Sequence, residues 1–334
     1  MFTIKDISKI TGLSISIISR YLNGHNVRKE NKILIDEAVR KTGYTPNEFA
    51  RSLRAGQTKC IGAVMPSLAD GFALSVMHYA EMELKRKGYT LFISDCQNSV
   101  KDEIACVKTM IQKRVDALVV LPISDSRELS ELAKSGKVPI IIFDQYFENI
   151  SADYILFENK EAANKACEIL VQHGHKNIAI LVGPLSDYTP RQRLKGYKKC
   201  LAAHGISVGD KFVLECNDYS MQSGYEKTKE IMGKGNRPTA IFATNFDLTL
   251  GAIKALNEMD LNVPEDISLM AFDSLPLYEA IKPKLWTIVQ PVEEIGRKIA
   301  EQIIFRLSES DDSPYTTIFI KYDIKEGASI RSIV

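Results

Sequence analysis

Residues 116–144 read DALVVLPISDSRELSELAKSGKVPIIIFD. Two apolar runs stand out, DALVVL (116–121) and PIIIF (139–143), and neither alternates with polar residues. A strand solvated on one face alternates, whereas a strand covered on both faces reads as unbroken Val, Ile and Leu. The second run stops at Asp144. The pattern recurs on both sides: CIGAVM (60–65) and TLFIS (90–94) before it, NIAILV (177–182), TAIFA (239–243) and ISLMAF (267–272) after it. Helices are expected at about 73–87, 102–113, 161–173, 191–204, 222–233, 247–259 and 292–307. Strands that alternate with helices build parallel sheets covered on both faces. The number of strand–helix units exceeds one ordinary open sheet. The sequence therefore predicts an α/β body of two similar doubly wound parallel-sheet subdomains, with a ligand cleft at the carboxyl ends of the strands.

Residues 1–45 follow a different, all-α pattern. TIKDISKITG places Thr3 and Asp6 as a capping pair before a short helix that Gly12 ends. A second helix starts at Ser14 and stops at Asn23–Gly24, and a third, KENKILIDEAVRKTG, ends at Gly43. Two short helices joined by a tight turn, with a third closing a small core, form a helix-turn-helix pattern. On the second helix Ile18, Tyr21 and Leu22 share the core side, while Ser16 and Arg20 face outward. Arg reaches guanine O6 and N7 in bidentate fashion and Ser bonds several base edges. Ile15 lies on the border and would meet either a thymine methyl or the core.

The chain has 334 residues, 45% hydrophobic and 25% charged, with a net charge of +1. That small net charge conceals an asymmetry. Residues 1–60 carry 11 Lys and Arg against 5 Asp and Glu, a net of +6, and the remainder carries a net of −5. A basic head on an acidic body suggests a polyanion partner for the head. The longest apolar runs are too short to span a bilayer, and no secretion signal opens the chain. The six cysteines form no CxxC pair and sit where reduced core residues would. A cytoplasmic location is expected.

Enzyme motifs are few. GISVG (205–209) matches G-x-S-x-G literally, but a helix precedes it and a strand-like KFVLE follows, the reverse of a nucleophile elbow. HGH (173–175) reads as a turn at a helix end rather than a metal site, because no third ligand lies at useful spacing. No glycine-rich phosphate loop is present. No cofactor and no catalytic set is expected. Polar residues at strand ends say more. Asp144, Asn245 and Asp273 each follow an apolar run, Arg191 and Arg193 open a helix, and Tyr219 is a lone aromatic in a polar loop. Carboxylates, an amide and a guanidinium around an aromatic ring suit sugar hydroxyls and a sugar's apolar face. Any single one of these residues also fits a cap or turn.

The motifs TIKDISKITGLS, ISRYLNG, GYTPNEFARSLRAGQTKCIG, RPTAIFATN, LGAIKAL, VPEDISLMAFD and GRKIAEQI resemble, over nearly the full length, the lactose-repressor-type (LacI/GalR) transcription regulators. The resemblance implies a helix-turn-helix domain over 1–46, a hinge helix and linker over 47–58, and two effector-binding subdomains. The first would hold 59–158 plus about 289–318, the second 159–288 plus about 319–334. It implies base reading by Ile15, Ser16 and Arg20, and phosphate contacts by Thr3, Ser14, Ser19 and Asn23. Leu53 of the hinge would wedge into the minor groove, flanked by Arg51 and Arg54. Asp70, Phe72, Asp144, Arg193, Tyr219, Asn245 and Asp273 fall at effector-binding positions. The implied partners are double-stranded DNA with a pseudo-palindromic operator, a small carbohydrate-like effector acting as inducer or corepressor, and a second copy of the chain. One branch of the family also binds a phosphocarrier coregulator. The chain departs from the family pattern at Phe246, where Asp is usual after Asn, and at Glu158, Arg28 and Trp286. A solute receptor without DNA function is the main competing reading; it explains the body but not residues 1–57.

Overall fold

The structure is a computed structural model that describes residues 2–22, 24–45, 57–207, 209–273, 276–308 and 313–333. The expected hinge helix, with Arg51, Leu53 and Arg54, lies outside the described residues, as does Asn23. The chain divides into two compact units, Met1–Thr58 and Lys59–Val334.

The first unit holds helices α1 (Ile4–Thr11), α2 (Ile15–Leu22) and α3 (Lys29–Thr42). Asp6 Oδ2 accepts from both the amide (2.9 Å) and the hydroxyl (2.8 Å) of Thr3, which fixes the start of α1. Gly12 ends α1 at φ 69°, a left-handed conformation in which glycine has no Cβ penalty. Ile7, Ile18, Ile35 and Ala38 form the buried core. Leu34, the neighbour of Ile35, turns outward instead.

The second unit carries two six-stranded sheets of the same topology. The first has order β11-β5-β4-β3-β1-β2, from β1 (Cys60–Met65), β2 (Thr90–Asp95), β3 (Ala117–Val120), β4 (Ile140–Phe143), β5 (Asp153–Phe157) and β11 (Thr317–Ile320). The second has order β12-β10-β9-β8-β6-β7, from β6 (Ile178–Val182), β7 (Val213–Glu215), β8 (Ala240–Ala243), β9 (Ser268–Phe272), β10 (Trp286–Val289) and β12 (Asp323–Lys325). Pairing is parallel except between β10 and β12. Helices α4 (Gly71–Arg86), α5 (Val100–Gln112), α6 (Arg127–Lys134) and α11 (Val292–Ser308) cover the first sheet. Helices α7 (Asn159–Gln172), α8 (Tyr188–Ala203), α9 (Met221–Met232) and α10 (Phe246–Glu258) cover the second.

Each sheet lies between two apolar layers. Ile61, Ala63 and Met65 of β1 point to one layer and Val64 to the other. This explains why the strands read as continuous apolar runs. The seven strands expected from those runs are present within a residue or two at their ends. Strands β5, β10, β11 and β12 and helix α6 were not expected. β5 opens with Asp153, a charge that breaks the pattern. Arg306 satisfies it through two hydrogen bonds, Nε to Oδ2 at 2.6 Å and Nη2 to Oδ1 at 2.8 Å. Burial alone would raise the Asp153 pKa, but Arg306 and the Thr316 amide hold it below the usual value.

The chain crosses between the lobes three times: between β5 and α7, between β10 and α11, and between β11 and β12. β10 runs to Val289 in the second sheet and β11 to Ile320 in the first, so two crossings fall slightly later than positions 288 and 318. Among the described residues, no helix is long and apolar enough to cross a membrane.

Candidate nucleic-acid interface and effector cleft

Helix α2 presents a polar face. Ser14, Ser16 and Arg20 are exposed, Ser19 is half-buried, and Ile18 on the opposite side is fully buried. Ile15 is 38% exposed, which places it on this outer face rather than in the core. Tyr21 closes the core side, and its hydroxyl donates to Asp36 Oδ1 at 2.6 Å, tying α2 to α3. Thr3 is exposed at the start of α1, and its hydroxyl proton is directed to Asp6.

In the body the strand-end residues converge on the gap between the lobes. Asp144 follows β4 and Asp273 follows β9, the fourth strand of each lobe in chain order. Both have left-handed backbones, φ 64° and 67°. Such conformations are strained for most residues, and tolerable for Asp. Burial pushes the Asp144 pKa up to about 6; Arg193 opposes this, and Asp70 and Asp273 reinforce it. Asp144 Oδ1 is buried without a partner. Asp273 accepts from Gln290 Nε2 (2.5 Å) and from the Phe246 amide (3.2 Å). Gln290 follows β10, and its Oε1 is likewise buried and unpartnered.

Arg193 extends from α8 beneath this group. Its Nε donates to Asn159 Oδ1 at 2.8 Å, its Nη1 donates to the Thr244 carbonyl, and its plane lies 3.9 Å over the Phe272 ring. Helix α8 also spans the lobes. Tyr188 N donates to Gln145 Oε1 (3.2 Å), and Thr189 Oγ1 donates to the Asp144 carbonyl (2.8 Å). Tyr219 donates to Asp187 Oδ2 at 2.6 Å, and burial, then Asp187, raises its pKa. Its ring lies over Gly183, where a Cβ would meet Tyr219 Cε1 at 2.5 Å. Only glycine leaves room for the ring there.

Two of the sequence-chosen residues also serve as caps. Asp70 Oδ1 accepts from the Phe72 and Ala73 amides at the start of α4, and Asn245 Oδ1 accepts from the Leu248 amide at the start of α10. Phe72 packs against the first lobe's core. Phe246 stacks on Tyr278 at 4.9 Å, so this departure from the family pattern fills the second lobe. Trp286 packs edge-on against His173. His175 is buried between Thr239 Oγ1 and the Arg331 carbonyl, a structural use of the HGH segment. The residues missed in the sequence were Gln290, Asn159 and Asp187. Gln290 carried the usable signal, a polar residue ending an apolar run, in WTIVQ.

Residues 167–330 match the periplasmic binding protein-like domain family. Over 314 residues the chain is 31% identical to the HTH-type transcriptional repressor PurR of Pasteurella multocida, covering 93% of this chain and 94% of that protein. The chain belongs to the LacI/GalR family of transcription regulators. A second member, the ribose operon repressor of Haemophilus influenzae, is 28% identical over 334 residues and covers 100% of both chains. Among solved structures, the Lac repressor dimer bound to operator and the anti-inducer ONPF superposes with a TM-score of 0.87, 24% identity and 99% coverage of each chain. At that identity the likeness establishes the fold. LacI/GalR membership accounts for both halves of the sequence, the two-lobed body and also the basic helical head that the solute-receptor reading left unexplained. The matched relatives named above are repressors rather than enzymes.

Proposed function

We propose that this LacI/GalR-type protein represses transcription by binding a pseudo-palindromic operator as a homodimer, and that a small polyhydroxyl effector between its lobes sets the operator affinity. The observation that carries the reading is the pair Asp144 and Asp273. They are equivalent strand-end residues of the two lobes, both in left-handed conformation; they act on each other across the gap, and Arg193 acts on Asp144. A ligand that bonds both carboxylates favours one relative position of the lobes, which is coupling by differential affinity for two states. In this reading Ser14, Ile15, Ser16, Ser19, Arg20 and Thr3 meet DNA, and the hinge adds Arg51, Leu53 and Arg54. Asp70, Arg193, Tyr219 and Asn245 complete the effector site.

Selection of a randomised duplex pool by the full-length protein tests the first half. The expected result is enrichment of an inverted repeat, because a two-fold dimer presents two equivalent helices. Absence of enrichment at low salt overturns it. Titration of a sugar panel into the selected complex tests the second half, with release or tightening of the duplex as the readout.

A further inference from the structure

Among the described residues, the carboxylates that act on one another across the cleft outnumber the guanidinium that acts on Asp144. Asp70 and Asp144 stand on the first lobe, Asp247 and Asp273 on the second, and Arg193 is the cation among them. These carboxylates act on one another across the gap. Beyond its burial, the charges that bear most on Asp70 are Asp273 and Asp247 of the opposite lobe, and both repel it. Asp247 is repelled in turn by Asp273. Arg193 acts on Asp144, but two of its nitrogens are directed to Asn159 and to the Thr244 carbonyl.

A second observation is independent of charge. Gln290 is only 5% exposed, and its Oε1 has no partner; Asp144 Oδ1 is likewise buried and unpartnered. Both atoms are acceptors. Buried polar atoms are paired in stable states, so these two await donors. An ammonium offers three donors and no acceptor, and its charge matches the carboxylates. A phosphate or carboxylate would bring acceptors to acceptors and negative charge to negative charge.

Building on the reading that a polyhydroxyl effector lies between the lobes, we propose that this effector carries a protonated amine, as an amino sugar does, and that the cleft rejects phosphorylated and acidic sugars. The excess charge comes from Asp70 and Asp247, which add two carboxylates to the Asp144–Asp273 pair. Asp70 caps α4 through an acceptor oxygen that Asn also supplies, so Asp70→Asn removes the charge and keeps the cap.

Calorimetric titration of the full-length protein near neutral pH tests this with three matched series: glucose, glucosamine and glucose 6-phosphate, and the corresponding galactose and mannose compounds. The expected result is that the amine binds at least roughly tenfold tighter than its neutral partner in the series that binds best, with no heat from the phosphate ester. The Asp70→Asn/Asp247→Asn double variant should lose that preference, and circular dichroism reports whether it is folded. Equal or tighter binding of the neutral or phosphorylated sugar overturns the charge assignment and leaves the carbohydrate reading standing. Failure of all nine compounds to bind the parent protein overturns both.

Discussion

Arg20 and Asp273 show what single residues contribute. Arg20 is exposed on the outer face of α2, with the core residue Ile18 two positions before it. In the proposed role, Arg20→Ala should relax specificity at one operator base pair and weaken binding by about 1–3 kcal/mol. A binding array of single-base operator variants checks this; a uniform loss across all of them would make Arg20 a phosphate contact instead. Asp273 is held by Gln290 and the Phe246 amide, so its carboxylate is oriented before any ligand arrives. Asp273→Ala should abolish the effector response while operator binding without effector stays near the parent value. Anisotropy with and without effector measures both. At this scale the sequence showed which polar residues end strands. It did not show their left-handed backbones, because neither an aspartate nor the end of an apolar run dictates a positive φ.

Elements carry the stability effects. Glu103 of α5 is fully buried; Oε1 accepts from the Ile123 amide at 2.8 Å and Oε2 has no partner. Burial pushes its pKa up to about 7 from an ordinary 4.5. The folded state therefore keeps the proton to higher pH than the unfolded chain does. The stability linked to this group is present below about pH 4.5 and is lost as pH rises through about 7. Glu103→Gln should stabilise the body at about pH 8 by up to about 3 kcal/mol, and by nothing near pH 4. Thermal melts across that range measure it, and an equal effect at both ends would contradict the linkage. The hinge is the second element. ARSLRAGQ (50–57) carries one leucine among small and basic residues, and short isolated helices are marginal in water. In the proposed role Leu53 inserts at a base step, at a cost of about a few kcal/mol that the bent duplex offsets. Leu53→Ser should lose operator affinity and bending, followed by gel shift on permuted duplexes, while effector titrations are unchanged.

For the whole molecule, dimerisation is the main expectation. β2 is an edge strand of the first sheet, and it exposes Phe92 (49%) and Ile93 (39%) beside the exposed Leu68 and Leu74. Exposed apolar edges invite pairing unless they are covered. A second copy of the chain would cover this one, and Phe92→Asp should shift sedimentation toward monomer at micromolar concentration. An unchanged dimer would move the interface elsewhere.

Much of this architecture was legible in the sequence. Continuous apolar runs gave seven strands, because a strand buried on both faces has no polar side to write into the pattern. Capping residues and glycines gave the three head helices, because those signals act within one turn. β11 and β12 escaped because they are short edge strands, and β5 because it opens on a charge, Asp153, which Arg306 and Thr316, far along the chain, make tolerable. The sequence by itself determined the local elements, the basic head and the family, since each rests on neighbouring residues or whole-length motifs. Tertiary structure alone decided that Asp70, Asp144, Asp247 and Asp273 act on one another, and that Gln290 and Asn159 join them. Three crossings between the lobes bring those residues together from positions as far apart as 70 and 290. Electrostatic interaction follows distance in space, which sequence separation does not record.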